Sequence, residues 1–118
     1  MGYFVAPQDL VIRSIQLVNT VAIAAHSTTI VTVTATNRED DAAGTTEIAE
    51  QTTDSDVTGY AAISAKVPWA VTLSTTTSAL EVSEGEVVEI GVDNNSGVSL
   101  TGVTVQIVYE YGSGTGYA

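Results

Sequence analysis

The chain has 118 residues, a length at which a single hydrophobic core is sufficient to hold a domain. Hydrophobic residues make up 44% of it and charged residues 14%, a composition typical of a folded chain rather than a disordered one. Acidic residues outnumber basic ones 14 to 3, giving a formal net charge of -11 at pH 7. This charge repels phosphate groups, so we expect neither nucleic acid nor a membrane as a partner.

Three further absences narrow the functional classes to which the chain can belong. The chain has no cysteine, which excludes disulfides and thiolate metal sites. Its first ten residues, MGYFVAPQDL, have no basic region and no long apolar run, so we expect no secretory signal. No stretch approaches the roughly 18 apolar residues needed to cross a bilayer.

Runs of Val, Ile and Thr that alternate with polar residues predict a chain made of strands. The segment at 19–27 between the first two runs is either a further strand or a bend over a sheet edge. Pro68 lacks the N–H that a ladder needs, so the strand before it should end there. The predicted strands lie at 10–18, 28–36, 45–53, 59–67, 71–74, 80–82, 86–93 and 103–111.

The last predicted strand shows the clearest alternation with a period of two. Its apolar face consists of Val103, Val105, Ile107, Tyr109 and Tyr111. The reverse face carries Val108 among polar residues. This is more apolar surface than one small core needs, and it indicates assembly with other chains.

No window shows helical periodicity with caps, and turn signals recur at short intervals, as in sandwiches and jelly rolls. We therefore predict an all-β fold: a single antiparallel β-sandwich, jelly-roll-like, that occupies residues 1–118 as one domain. Residues 1–8 are predicted to form an N-terminal arm and residues 112–118 a flexible, glycine-rich tail.

Few residues offer catalytic or metal chemistry. His26 is the sole histidine, and Ser27 beside it would face the opposite side of a strand, so a triad is not expected. We predict no enzyme activity, no cofactor and no committed metal site. The acidic loops at 39–41 and 93–97 concentrate oxygen ligands, which leaves calcium binding open against ordinary turn chemistry.

The aromatic residues give the best indications of binding. Tyr3, Phe4 and Val5 form an apolar tip ahead of Pro7, outside any periodic strand, and pack either on their own core or on a partner. Together with Tyr109 and Tyr111 they are our predicted partner-binding residues. Trp69 is interpreted as a core anchor and is not counted among them.

The order of these elements resembles that of the small decoration, or cement, proteins of tailed-phage capsids. The similar segments are IRSIQLV at 12–18, TATNRED at 34–40, the acidic turn EVSEGEVVEIGVDNNSGVSL at 81–100 and the closing strand VTVQIVYEY at 103–111. The similarity is one of pattern, covers most of the chain and assigns no individual contact residue.

This resemblance implies a non-enzymatic structural protein on the outside of a virion, made in the host cytoplasm. It implies a homo-oligomer, with a trimer favoured, that bridges subunits of the major capsid protein. We hypothesise that residues 1–6 reach the coat protein as an arm. The alternative from another class is an extracellular carbohydrate-binding or adhesion sandwich, which would present aromatic residues on a flat sheet face or at one loop end.

Overall fold

A computed structural model describes residues 2–112. The strands form where Val, Ile and Thr alternate with polar residues in the sequence, since branched side chains fit the pleated surface of a sheet. One 3-10 helix lies at Thr77–Leu80. The strands are β1 Gly2–Val5, β2 Leu10–Val18, β3 Val31–Asn37, β4 Thr46–Thr52, β5 Trp69–Ala70, β6 Thr72–Leu73, β7 Glu81–Val82, β8 Val87–Asn94 and β9 Thr104–Tyr111.

The strands form two antiparallel sheets, which confirms the predicted all-β sandwich. The five-stranded sheet has the order β1-β8-β3-β4-β6. In the four-stranded sheet β2 is central: β9 pairs along one side of it, while β5 and β7 pair with its two ends on the other side. The register between β2 and β9 runs from Leu10 opposite Tyr111 to Val18 opposite Thr104, with a bulge at Arg13.

The core lies between the sheets and is built from the inward residues of β2, β3 and β8. In β3 every second residue is buried while the intervening threonines are half-buried. In β8, Val88 and Ile90 are buried on the core side. Trp69 is buried as predicted, and its indole Nε1 donates to the carbonyl of Ala61 at 3.0 Å.

A tight turn joins β7 to β8. The N–H of Glu86 donates to the carbonyl of Ser83 at 3.0 Å, and Gly85 adopts a φ of 85°. Glycine enters this left-handed region without the steric penalty that other residues incur. The N–H of Gly85 donates to the carbonyl of Ala6 at 2.9 Å, so the turn also anchors the end of β1.

The strand predicted at 59–67 is wrong. Only Ile63 makes a bridge there, exchanging N–H···O bonds of 2.8 and 2.9 Å with Ile23. The segment at 19–27, left open above, is likewise no strand but is held by that bridge and by one between His26 and Asp54. Each segment contributes one isoleucine to the core. Their apolar residues therefore indicate that these segments are buried, but not that they pair as strands.

Both predicted terminal segments can be placed in part. Residues 2–5 of the 1–8 segment form β1, paired with residues 87–90 of β8 in the same chain. This is the intramolecular packing that was one of the two possibilities for the aromatic tip. Of the predicted tail at 112–118, only Gly112 is described; its N–H donates to the carbonyl of Asp9 at 2.6 Å, and the rest lies outside the described residues.

Ile48 lies in β4, is fully buried and is remote from β1 and β9. We expect Ile48→Ala to lower the free energy of unfolding by about 2–5 kcal/mol, because it removes buried methyl groups and leaves a cavity. The matched control is Val67→Ala, at a side chain 49% exposed, which should change it by less than about 0.5 kcal/mol. Urea unfolding at one fixed protein concentration measures both, and equal effects would contradict this account of the core.

Candidate functional site

The two sides of the sandwich differ in how their edges end. On one side the edge strands β5, β6 and β7 have two residues each. On the other side the edges are β1, with four residues, and β9, with eight. Short edge strands are a common protection against unwanted pairing, and a long edge strand such as β9 lacks it. We call the side flanked by β1 and β9 the open side.

A groove runs along the open side because β1 is half the length of its neighbour. β1 pairs with residues 87–90 of β8, and no strand of the described chain pairs with residues 91–94 on that side. The sheets are therefore not closed over each other there, and a groove of about 540 Å³ remains. It is lined by Gly2, Tyr3, Phe4, Ile90, Val103, Val105 and Ile107.

The inward face of β9 is only half-buried, although it faces the core. Val105, Ile107 and Tyr109 pair with Leu17, Ile15 and Ile12 of β2. Those three β2 residues are almost completely buried, whereas the three β9 residues are not. The predicted alternation of β9 is confirmed, and the difference in burial arises from its position at the edge, where no further strand of the described chain covers it.

Three of the predicted partner-binding residues meet at one end of the groove. The rings of Phe4 and Tyr109 lie 5.4 Å apart at 41°, and those of Tyr109 and Tyr111 lie 5.4 Å apart in an edge arrangement at 61°. Such aromatic pairs contribute about 0.5–1.5 kcal/mol beyond the area they bury. A hydrogen bond with Tyr111, followed by burial, raises the pKa of Tyr109. Tyr111 itself remains 38% exposed at the rim.

The other two predicted residues, Tyr3 and Val5, lie on the outer face of the five-stranded sheet. They are 73% and 57% exposed, and they belong to β1 and not to a tip outside the strands. Tyr3 lies opposite Glu89 in the ladder. The five residues thus divide between two faces, because consecutive residues of a strand point to opposite sides.

Arg38 holds the polar surroundings of Tyr3 together. Its Nε donates to Oε1 of Glu89 at 2.7 Å, and its Nη1 donates to the carbonyl of Gly44 at 3.1 Å. The hydrogen bond from Arg38, aided by its charge and by Tyr3, lowers the pKa of Glu89. A Cβ at Gly44 would lie 2.4 Å from the carbonyl oxygen of Asn37, so the loop closes this tightly only with glycine there.

The side chains considered for catalysis and metal binding accept hydrogen bonds from backbone N–H groups. Nδ1 of His26 accepts the N–H groups of Thr28 at 3.0 Å and Thr29 at 3.2 Å. In the loop at 93–97, Oδ1 of Asn95 accepts the N–H of Ile30 at 2.8 Å. In the loop at 39–41, Oδ1 of Asp41 accepts the N–H of Ala43 at 3.0 Å. Across residues 2–112 no three acidic or histidine side chains are grouped to hold a metal ion.

The chain was compared with known proteins at three levels. No protein-family model matches it, and the searches of curated proteins and of solved structures found no match either. Among the described residues, no helix has the length and apolarity to cross a membrane. The similarity to capsid decoration proteins therefore remains one of pattern.

The sequence indicated the apolar face of β9 but missed the groove. Gly2 and Ile90 carry no signal of their own, since neither a single glycine nor an isoleucine on the core side of a strand indicates a groove. The groove requires β1 to lie across from β9, and strand order was not predictable from periodicity. A detectable signal was the mismatch between a four-residue apolar segment at the start and eight-residue strands later.

The ion pair between Arg38 and Glu89 predicts how the stability of the fold depends on pH. Because the folded pKa of Glu89 is lowered, its ionised form stabilises the fold above its ordinary value of 4.5. That stabilisation is lost as the pH falls through the lower, folded value. We therefore expect wild type to be more stable than Glu89→Gln at neutral pH, with the difference shrinking towards zero in acid. Urea unfolding at a series of pH values from neutral down to below the folded pKa measures it.

The control for this prediction removes the positive charge of Arg38, which pairs with Glu89. In an Arg38→Gln background, the further change Glu89→Gln should alter stability less at neutral pH, because the main cause of the lowered pKa is absent. A stability difference that persists unchanged in acid, or in that background, would contradict the assignment.

Proposed function

We propose that this protein is a non-enzymatic structural protein that binds the outer surface of a tailed-phage capsid as a trimer and bridges coat subunits. The observation that carries the proposal is the open side: an eight-residue edge strand and a groove lined by apolar residues, which a solitary domain would leave uncovered. The pattern of the strand segments, similar to that of decoration proteins, directs the proposal to capsids.

The charges are consistent with a protein that works by contact. The net charge of -11 opposes binding to nucleic acid, and it favours a partner surface with basic groups. Of the three basic side chains, Arg13 pairs with Glu110 at 3.1 Å and Arg38 pairs with Glu89. In this proposal the protein is made in the host cytoplasm and functions on the exterior of the virion.

Tyr3 and Val5 are the residues we propose for contact with the major capsid protein. They stand on the outer face of β1, where a hollow of about 500 Å³ is lined by Tyr3, Val87 and the loop that Arg38 anchors. Exposed tyrosines are enriched among residues that dominate protein interfaces, since the ring buries a large area at low entropic cost. Because β1 is part of the sandwich, the contact is a rigid face and not a free arm.

The carbohydrate-binding alternative has less support. Such a module would present several aromatic residues on a flat sheet face or at one loop end, and Tyr60 is the one aromatic residue in the loops of residues 2–112. Among the described residues, Tyr3 is the one aromatic side chain on the outer faces of the sheets, since Phe4 and Tyr109 point inward and Trp69 is buried. A glycan array with wild-type protein tests it, and saturable binding there would favour the alternative.

The capsid proposal is tested by binding to heads purified from the phage that encodes the chain. We expect saturable binding, and we expect Tyr3→Ser to weaken it about tenfold or more, as for a central interface tyrosine. Tyr60→Ser is the matched control, because Tyr60 is 46% exposed but lies on the loop between β4 and β5. Absence of wild-type binding, or equal loss in both variants, would refute the proposal.

A further inference from the structure

The two free edges of the sandwich flank the same groove. β9 presents eight residues along one sheet, and β1 with residues 91–94 of β8 presents the edge of the other. Neither β1 nor β9 carries the lysine, proline or inward charge that commonly protects an edge. The opposite side is protected by strands of two residues. The open side is therefore suited to accept further strands.

Charge is almost absent from this side of a strongly acidic protein. None of the residues that line the groove is charged, and β1 has no charged residue. The single charge on β9 is Glu110, which pairs with Arg13 at 3.1 Å, and the unpaired segment of β8 at 91–94 adds the exposed Asp93. Two copies that each carry -11 repel each other through most of their surface, but they can approach here with few like charges brought together. A basic partner would instead be drawn to the acidic surfaces elsewhere.

We propose that the groove is filled by a second copy of this chain. The free edge of β9 in one copy pairs with the β1 edge of the next, so that the four-stranded sheet of one continues into the five-stranded sheet of the other. Val105, Ile107 and Phe4, half-buried in one chain, become a shared apolar core. This inference rests on the homo-oligomer part of the proposed function and is independent of capsid binding.

The pairing is head to tail, and not between two β9 strands. A two-fold contact between β9 strands would cover one edge and leave the β1 edge exposed on both copies. A contact between different edges covers both in every copy, and it closes into a ring if the rotation allows. Both edges lie on the same side of the sandwich, so three copies can direct their open sides towards a common axis.

The first test measures oligomer mass. Light scattering after size exclusion should give about 37 kDa, three times 12.2 kDa, for wild type. Val105→Lys places a charge in the groove and should shift the mass towards 12.2 kDa while the circular dichroism of the sandwich is retained. Val67→Lys, at an exposed valine outside the groove, should stay trimeric. A wild-type monomer, or a trimeric Val105→Lys, would overturn the proposal.

The second test identifies which edges meet and does not depend on a disruptive variant. The chain has no cysteine, so single cysteines report without background. Tyr3→Cys and Gln106→Cys lie on the outer faces of β1 and β9, on different sheets of one copy. A short bismaleimide should link the two variants when they are refolded together, and the double variant should give covalent species that end at three chains.

The outcomes separate the possibilities. Efficient linking of Gln106→Cys to itself would show β9 paired with β9 and would overturn the head-to-tail arrangement. No linking for cysteines placed in turn at 104, 106 and 108, in mixtures with Tyr3→Cys, would overturn pairing of these edges altogether. If the edges link as expected, a wild-type trimer that fails to bind heads would leave this inference standing and refute the capsid proposal. Binding of heads by a wild-type monomer would refute this inference and the trimer, while capsid binding itself would stand.

Discussion

The antiparallel ladder between β2 and β9 is the interaction on which the rest of the structure depends. β2 is the centre of its sheet, and its inward leucines and isoleucines are almost completely buried. On one side β2 is flanked by β9, which pairs along its full length. Since β9 has no further neighbour in the described chain, the strand that completes the core is itself left at the edge. The same pairing therefore both completes the core and leaves the open side uncovered.

The length of β1 decides how far that side stays open. The four residues of β1 pair alongside Val88 and place the ring of Phe4 against that of Tyr109. This aromatic contact closes one end of the groove. Residues 91–94 of β8 have no partner strand on this side within residues 2–112. Val105, which lines the groove, is therefore not covered by a described strand there. Apolar groups in such a position have lost part of their contact with water without gaining full packing, so they retain a favourable free energy for association.

The distribution of charge complements this geometry. A net charge of -11 hinders indiscriminate association, while the neutral edge leaves one direction of approach without repulsion. The polar face around Arg38 serves a separate role, holding the loop at 38–44 against β8 beside the exposed Tyr3. One small sandwich thus has a neutral apolar side and a polar, accessible face, and the two are suited to different partners.

The sequence by itself determined the fold class, because Val, Ile and Thr in alternation suit a pleated surface whatever the strand order. It also determined the bounds of β2, the two faces of β9, and the burial of Trp69. It failed at 59–67, where an apolar Ile63 fills the core from a loop. Only the tertiary structure decided which strands end at an edge, since that depends on pairing between residues distant in the chain. For the same reason, local periodicity identified Tyr109 and Phe4 as candidates but could not show that they meet across an open groove.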